Sequence, residues 1–218
     1  MKKLIISSVL LCASYSAMWS QMRVDIKLGI SPASSPVNAG VLINRDNPRS
    51  EFMLNMVHVK PQFSAGINLH QRLNESFFVE GGFAYTKKTS QFRVNYTLPQ
   101  SEPLSSEMFM NESEDIIQLP VNIGVGLGKI DVTSGLTALK TISSKNELAH
   151  IEGFSAEDNS LRYGWQMGVR YAFMHRASAG VEYQSTMTRV CQGMKVNGHA
   201  LDLMNVPGRI VFNLQYRF

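Results

Sequence analysis

The sequence predicts an all-β protein, an eight-stranded antiparallel up-and-down transmembrane β-barrel. After residue 20 the chain contains about eight segments in which apolar and polar side chains alternate with the period of two that a β-strand imposes. The connections between these segments are alternately long and short, as in transmembrane barrels. Aromatic residues also lie near both ends of several segments, and the last segment ends on Phe218.

The last segment, residues 207–218, shows the alternation along its whole length. One face carries Ile210, Phe212, Leu214, Tyr216 and Phe218, and the other carries Arg209, Val211, Asn213, Gln215 and Arg217. Its length is enough for a tilted strand to cross a bilayer. A final strand ending in Phe resembles the assembly signal of outer-membrane barrels, which assigns that role to Phe212, Leu214, Tyr216 and Phe218.

Residues 1–20 are predicted to be a signal peptide, which leaves residues 21–218 as the barrel domain. Lys2 and Lys3 precede an apolar run that is too short to span a membrane as a helix. We favour cleavage after Ser20, with a site near 14–16 as the alternative. A lipoprotein attached through Cys12 is disfavoured because Leu11 stands where a small residue is needed.

Composition excludes several classes of protein. Once the signal peptide is removed, Cys191 is the single cysteine, so neither an intramolecular disulfide nor a cysteine-based metal site is possible. The formal net charge is +4, but no basic run suggests nucleic acid as a partner. No later segment is apolar enough for a membrane helix, so membrane insertion must use strands.

The first four strands flank the first two long polar stretches. They are predicted over Arg23–Ile30, Val57–His70, Ser76–Lys88 and Ile116–Leu127. Beyond Lys87 and Lys88 the apolar residues change to the other face, where Phe92 is found, and we interpret the change as a β-bulge where the strand leaves the membrane and continues as an exposed hairpin arm. Pro120 lies inside the fourth strand, which predicts a bulge or a locally unpaired site there.

The last four strands complete the even number of such barrels. They are predicted over Ile130–Leu139, Leu161–Phe173, Ala177–Thr188 and the terminal segment. If the first strand starts in the periplasm, the long loops are extracellular and the short turns periplasmic. The long loops cover about residues 31–52, 97–115, 140–160 and 189–206, and the short turns cover 71–75, 128–129 and 174–176.

The aromatic residues fit two interfacial girdles. Tyr163 and Trp165 are expected near the outer end of the sixth strand, and Tyr171 and Phe173 near its inner end. Tyr216 and Phe218 are expected at the inner rim.

The chain resembles the PorT-like outer-membrane β-barrel family of small exported Gram-negative barrels. The resemblance rests on the W-S-Q that ends the signal peptide, the I-I-Q-L-P-V-N-I-G-V-G-L-G of the fourth strand, the G-x-x-Y of the sixth strand and the final Q-Y-R-F. It implies an outer-membrane location and, for a few members, a link to protein secretion and gliding. It assigns no functional residue.

The first candidate site is the polar face that should point into the lumen. Because an eight-stranded barrel is only wide enough to be filled by side chains, charges there must be paired. We expect a salt-bridged plug, in which Arg209 and Arg217 supply cations for carboxylates such as Asp25 and Glu80; the alternative is a narrow ion path. The predicted charge network comprises Asp25, Lys27, Glu80, Asp131, Arg162, Arg170, Glu182, Arg209 and Arg217.

The second candidate site is the extracellular rim, where His58, His150 and His199 occur near acidic residues. Neither H-E-x-x-H nor G-x-S-x-G is present, and the glycines at 124, 126 and 128 precede no helix, so they do not form a phosphate loop. We therefore expect no catalytic residue, no metal and no cofactor, and we expect Cys191 to be an ordinary loop residue.

The predicted role is structural or interaction-based, because the loops exceed what connection alone requires. Expected partners are outer-membrane lipid, the outer-membrane assembly machinery and, through the loops, an extracellular ligand or secretion-system proteins. An integral outer-membrane enzyme with a rim active site is one alternative function. A soluble lipocalin-like barrel, apolar inside and lipid-binding, is the other.

Overall fold

The computed structural model describes residues 22–35, 40–43, 51–96, 106–150, 154–156, 161–187, 194–196, 199–200 and 208–218. The predicted signal peptide and Cys191 lie outside the described residues. Within those ranges no helix is long and apolar enough to cross a membrane.

The described chain consists almost entirely of β-strands, with one short 3-10 turn at Glu147–His150. The strands are β1 (Met22–Ser31), β2 (Gly40–Ile43), β3 (Glu51–Val59), β4 (Gln62–Arg72), β5 (Phe77–Tyr96), β6 (Ser106–Leu127), β7 (Ile130–Asn146), β8 (Phe154–Ala156), β9 (Arg162–Ala172), β10 (Ala177–Thr186), β11 (Met194–Val196), β12 (His199–Ala200) and β13 (Arg209–Arg217).

Eight of these strands close into a ring, which confirms the predicted fold class. The order around the ring is β1, β4, β5, β6, β7, β9, β10 and β13, with every neighbouring pair antiparallel. The terminal strand β13 pairs with β10 on one side and with β1 on the other. Closure removes the free sheet edges that an open sheet would expose.

The ring is apolar outside and polar inside. On β1, Val24, Ile26, Leu28 and Ile30 are exposed on the outer surface, whereas Asp25 is buried in the interior. The other ring strands repeat this pattern, with outward residues such as Leu119, Met167 and Phe212. The lipocalin-like alternative is wrong because it requires the opposite arrangement, with apolar side chains inside.

Two local features follow from Gly128 and Pro120. Gly128 has a φ of 70°, the left-handed conformation that glycine adopts readily, and it forms the tight turn between β6 and β7. Pro120 pairs with Thr137 of β7, but the β5–β6 ladder omits Pro120 and Leu119 with their opposite residues, Gly82 and Phe83. The expected locally unpaired site is confirmed, because proline has no N–H to donate.

The bulge predicted near Lys88 is wrong. β5 runs without interruption from Phe77 to Tyr96, and its register with β4 and with β6 does not shift. Along its length the even-numbered residues face inward, from Phe78 through Phe92 and Val94. The apolar residues change faces because the surroundings change. Within the membrane the outer face meets lipid, whereas beyond it the outer face meets water and the inner face forms a protein core.

The strands continue beyond the ring as an extension made of β2, β3, residues 87–96 of β5, residues 106–115 of β6 and residues 141–146 of β7. In it β3 pairs with β5, and β2 pairs with β3. The single strand predicted over 57–70 is therefore wrong, since it divides at Lys60 and Pro61 into β3 and β4. The four predicted long loops, over 31–52, 97–115, 140–160 and 189–206, likewise contain strands or parts of strands.

The register shifts lie on other strands. The β3–β5 register shifts between Met56 and His58, and the β6–β7 register shifts beside Asp115 and Ile116. In the first case the extra residue is Val57 on β3, and in the second it is Ile142 on β7. Both shifts lie in the extension or at its base, where the strands leave the regular barrel.

Candidate functional site

The lumen holds its charged side chains at three levels. At the periplasmic level, Arg170 of β9 contacts Glu80 of β5 at 2.9 Å through Nη1 and Asp131 of β7 at 3.1 Å through Nη2. The Arg170 Nη1 also donates to the Gln215 side chain, and Arg217 Nε lies 3.4 Å from Asp25 Oδ1. One guanidinium therefore joins Asp131 of the neighbouring strand to Glu80 on the other side of the lumen.

The middle level contains one ion pair and a layer of amides. Lys27 of β1 pairs with Glu182 of β10. Gln166 donates to Asn122 Oδ1 at 2.8 Å, and Gln184 donates to Glu182 Oε2 at 3.2 Å. Paired and hydrogen-bonded groups offset the cost of burying polar atoms in a narrow interior.

The outer level lies just beyond the membrane band and centres on Glu114 of β6. Lys88 Nζ is 2.7 Å from Glu114 Oε2, and Arg162 Nη2 is 2.9 Å from Glu114 Oε1. Burial would raise the pKa of Glu114, but the charges of Lys88 and Arg162 and their hydrogen bonds outweigh it and lower that pKa to about 2. The outward residues at this level, Lys87 and Asp115, are polar, which places Glu114 outside the apolar band.

Acid is expected to weaken the outer level. The folded-state pKa of Glu114 is depressed from 4.5 to about 2, so its contribution to stability is complete above pH 4.5 and is lost as the pH falls through 2. The contribution is on the order of 3 kcal/mol. Denaturant unfolding of the wild type between pH 5 and pH 2 should show this loss, whereas Glu114→Gln should start less stable and lose less. An equal pH dependence in both proteins would contradict this assignment.

The structure places the nine charged residues of the predicted network on the inner face, but the pairing differs from the expectation for two of them. Glu80 pairs with Arg170, not with a cation of the terminal strand. Arg209 donates to the side-chain oxygens of Gln184 and Gln62. Among the described carboxylates, none forms an ion pair with Arg209.

Sequence reasoning missed three buried participants in the lumen. Lys88 ends the predicted third strand and Glu114 lies in the predicted loop over 97–115, so neither belongs to the predicted network, yet both are buried. His70 ends the predicted second strand and belongs to neither candidate site, and it is buried and stacked on Phe78 with ring centroids 4.3 Å apart. The signal available for His70 was its position opposite Glu80 once β4 and β5 are paired.

The structure does not gather the rim histidines into one described site. His58 is on β3, and His150 ends the 3-10 turn, where it is exposed. His199 begins β12, in a small sheet of β8, β11 and β12. The nearby Glu147 accepts a hydrogen bond from the backbone N–H of Asn111 at 2.6 Å, which fixes the 3-10 turn to β6.

The extension has its own apolar interior and an outer aromatic residue. Phe92 is fully buried, and in the register it lies between Met56 on β3 and Met110 on β6, both also buried. On the outer face Phe109 is 53% exposed, and the Arg93 guanidinium lies 5.8 Å from the centre of its ring. The extension is thus a packed structure that carries an exposed aromatic residue.

The terminal strand closes the ring at the periplasmic side. The backbone N–H of Phe218 donates to Val24 O at 3.1 Å, and its ring meets the edge of Tyr216 with centroids 5.3 Å apart. Leu28 pairs with Leu214, and Asp25 with Arg217, across the β1–β13 seam. The outward side chains Phe212, Leu214, Tyr216 and Phe218 form an exposed apolar row.

Deleting Phe218 is expected to lower the amount of folded barrel in the outer membrane more than any loop change does. The deletion removes the closing hydrogen bond to β1 and the terminal aromatic side chain together. Immunoblotting of unboiled outer-membrane fractions measures the folded form. Phe173→Ala is the matched control, since Phe173 is an exposed inner-rim aromatic residue that follows β9. Normal levels of the truncated protein would refute the prediction.

The family model described as "Outer membrane protein beta-barrel domain" matches residues 4–218. A search of curated protein sequences finds no significant match. Among solved structures, the outer membrane protein OprG from Pseudomonas aeruginosa aligns with a TM-score of 0.54 at 12% identity, covering 90% of this chain and 95% of that chain. The Escherichia coli outer membrane protein W aligns with a TM-score of 0.40 at 14% identity, covering 89% and 97%. At 12% identity the OprG alignment shows the fold alone.

Proposed function

Because the chain belongs to the outer membrane protein β-barrel domain family, we propose that it is a closed structural and interaction barrel of the outer membrane. In this role the lumen does not conduct ions, and the extension binds a protein partner outside the cell. The single observation that carries the proposal is the extension, a packed sheet that continues the barrel wall.

The length of β5 and β6 supports a role for the extension beyond connecting strands. β5 has 20 residues and β6 has 22, whereas a tilted strand needs about 9–11 residues to cross the bilayer. The surplus residues of both strands pair with each other, with Lys87 opposite Asp115 and Tyr96 opposite Ser106. A rigid surface of this kind presents side chains at fixed positions, as a specific interface requires.

The filled interior supports a role without conduction. Ion pairs occupy the periplasmic, middle and outer levels of the lumen, and the residues that form them are largely buried. An ion crossing the barrel would have to displace several paired groups, each of which is costly to leave uncompensated. In a planar bilayer we therefore expect no stepwise conductance from the purified protein.

Within the family we propose membership of the PorT-like branch, with an accessory role in protein secretion. The support is the sequence pattern already described, above all the Leu119–Pro120 pair and the terminal Q-Y-R-F. On this proposal the extension contacts a component of a secretion assembly on the cell surface.

Photo-cross-linking from Phe109 tests the proposal. A benzophenone amino acid replaces Phe109 in intact cells, where it points outward from the extension. We expect a discrete protein adduct after irradiation, and mass spectrometry of that adduct identifies whether a secretion component is the partner. The matched control is the same amino acid at Val169, which is 53% exposed on the outer face of β9 within the membrane band.

The control position should cross-link to lipid or to no protein. Failure of Phe109 and of its neighbour Met108 to give any protein adduct would refute an interaction role for the extension. A discrete adduct to a protein outside any secretion assembly would support the interaction role and refute the secretion role.

A further inference from the structure

Asp25, His70 and Glu80 form a buried cluster at the periplasmic level of the lumen. One potential ligand atom from each residue lies within 4.8 Å of the other two, and all three residues are at most 2% exposed. The cluster is separate from the extension on which the proposed function rests.

The register of three adjacent strands creates this cluster. His70 of β4 lies directly opposite Glu80 of β5. Asp25 of β1 lies opposite Asn68, which is two residues before His70 and therefore on the same inward face of β4. Directly opposite and diagonal neighbours on one face of a sheet are close enough for their side chains to meet.

His70 gives an independent indication that a ligand belongs in the cluster. Its Nδ1 atom is buried and has no hydrogen-bond partner among the described residues. Stacking against Phe78 holds the imidazole in one plane. An unsatisfied buried nitrogen costs free energy, and bonding to a metal ion would satisfy it.

The hydrogen bonds around the two carboxylates involve one oxygen of each. Asn68 and Arg170 both donate to Oε1 of Glu80, and Arg217 approaches Oδ1 of Asp25 at 3.4 Å. The second oxygen of each carboxylate can therefore turn toward a cation. The arginines would act as outer partners that orient the ligands, as such partners do in known metal sites.

The ion-paired groups around the cluster leave one negative charge for an added cation. Asp25, Glu80 and Asp131 carry three negative charges, and Arg170 and Arg217 carry two positive charges, so one negative charge remains in this group when His70 is counted as neutral. A cavity of about 60 Å³ at the periplasmic mouth connects Asp25, His70 and Asp131 with the short turns, and Arg72, Lys129 and Arg176 also line it.

We propose that Asp25, His70 and Glu80 bind one divalent transition-metal ion, with Zn²⁺ as the preferred ion. One imidazole nitrogen with two carboxylate oxygens suits Zn²⁺, whose remaining position water can fill. The nitrogen ligand disfavours Ca²⁺ and Mg²⁺, which prefer oxygen ligands throughout. Bound metal would connect β1, β4 and β5 at the periplasmic end of the barrel.

Metal titration of the purified full chain tests this site. The barrel is extracted in detergent, stripped with EDTA, and titrated with Co²⁺ by absorption spectroscopy and with Zn²⁺ by calorimetry. We expect one ion per chain. His70→Gln should weaken binding by roughly tenfold or more, since loss of an outer partner alone costs about 10–100-fold. The matched control His150→Gln, at an exposed position that ends the 3-10 turn, should leave binding unchanged.

Several outcomes would overturn the proposal. They are no binding above the detergent blank, equal affinity in the wild type and His70→Gln, or an equal loss in His150→Gln. If His70→Gln does not give the heat-modifiable folded form on a gel, X-ray absorption of the Zn²⁺-loaded wild type decides. A Zn²⁺ ion coordinated by one imidazole and otherwise by oxygen atoms supports the site. A coordination shell without imidazole refutes it.

Discussion

Replacing Arg170 with alanine is expected to destabilise the folded barrel by about 3–5 kcal/mol, the cost of leaving a buried charge without its partner. Arg170 contacts Glu80 at 2.9 Å and Asp131 at 3.1 Å, and its guanidinium also lies 5.8 Å from the centre of the Phe78 ring. Its removal leaves Glu80, which is 2% exposed, without its cation. Equilibrium unfolding by urea in detergent micelles measures the change in free energy.

Two controls separate the loss of charge pairing from other effects of Arg170→Ala. Arg176→Ala removes the exposed side chain of the neighbouring periplasmic turn and should change stability by less than about 0.5 kcal/mol. Adding Glu80→Gln to Arg170→Ala should recover part of the loss, since the double variant no longer buries an unpaired carboxylate. A cost below about 1 kcal/mol for Arg170→Ala would show that the lumen network does not hold the barrel together.

Replacing Phe92 with alanine is expected to open the extension, at a cost of about 3–5 kcal/mol for a buried phenylalanine. Phe92 is 0% exposed and lies between Met56 and Met110, so the surrounding strands lose their central side chain. Trypsin cleavage at Arg93 reports the open fraction. Its rate should rise by roughly two to three orders of magnitude, since cleavage follows the population of the open form.

Phe109→Ala is the matched control for Phe92→Ala, since it removes the same side chain from the outer face of the same extension. Phe109 is 53% exposed, and its contact with Arg93 at 5.8 Å is worth no more than about 1 kcal/mol. The cleavage rate should therefore change by less than about tenfold. Equal rates in the two variants would contradict the inward packing of Phe92.

Within the membrane band the strands could be predicted from the sequence, because lipid outside and polar groups inside impose strict alternation. The strand predicted over Leu161–Phe173 appears as β9, Arg162–Ala172, and the terminal strand appears as β13. The turn at Gly128 and the unpaired site at Pro120 could also be predicted, since each follows from the backbone chemistry of one residue.

The exposed hairpin arm beyond Lys88 could be predicted, and residues 87–96 of β5 confirm it. The returning half of that hairpin, residues 106–115 of β6, could not be predicted, because there the rule of apolar outside and polar inside no longer holds. Met110, Glu112 and Glu114 face inward on β6, so apolar and charged residues share one face. That mixture resembled a polar loop. On β5 the change of apolar face at Phe92 predicts a bulge, but the strand continues in register because only its surroundings change.

Nine inward-facing charged residues of the lumen could be predicted, but Lys88, Glu114 and most of the pairings could not. Asp25 and Arg217 meet because β1 and β13 close the ring, a neighbour relation that strand order alone indicates. Glu80 and Arg170 meet across the lumen from β5 and β9, which are not neighbours. Such contacts depend on the register and width of the closed barrel, which the sequence does not display.

Spin-label accessibility along β6 tests most directly whether one continuous strand passes from lipid into water. Single cysteines at positions 108–127, in a background without the two native cysteines, carry the label in lipid-reconstituted protein. Frequent collisions of the label with molecular oxygen indicate that the position faces lipid. Frequent collisions with a water-soluble nickel chelate indicate that it faces water.

We expect odd positions from 117 to 127 to favour oxygen, odd positions from 109 to 115 to favour the nickel chelate, and even positions from 110 to 124 to be protected from both reagents. A change of the protected positions from even to odd near residue 115, or the absence of alternation, would contradict the account.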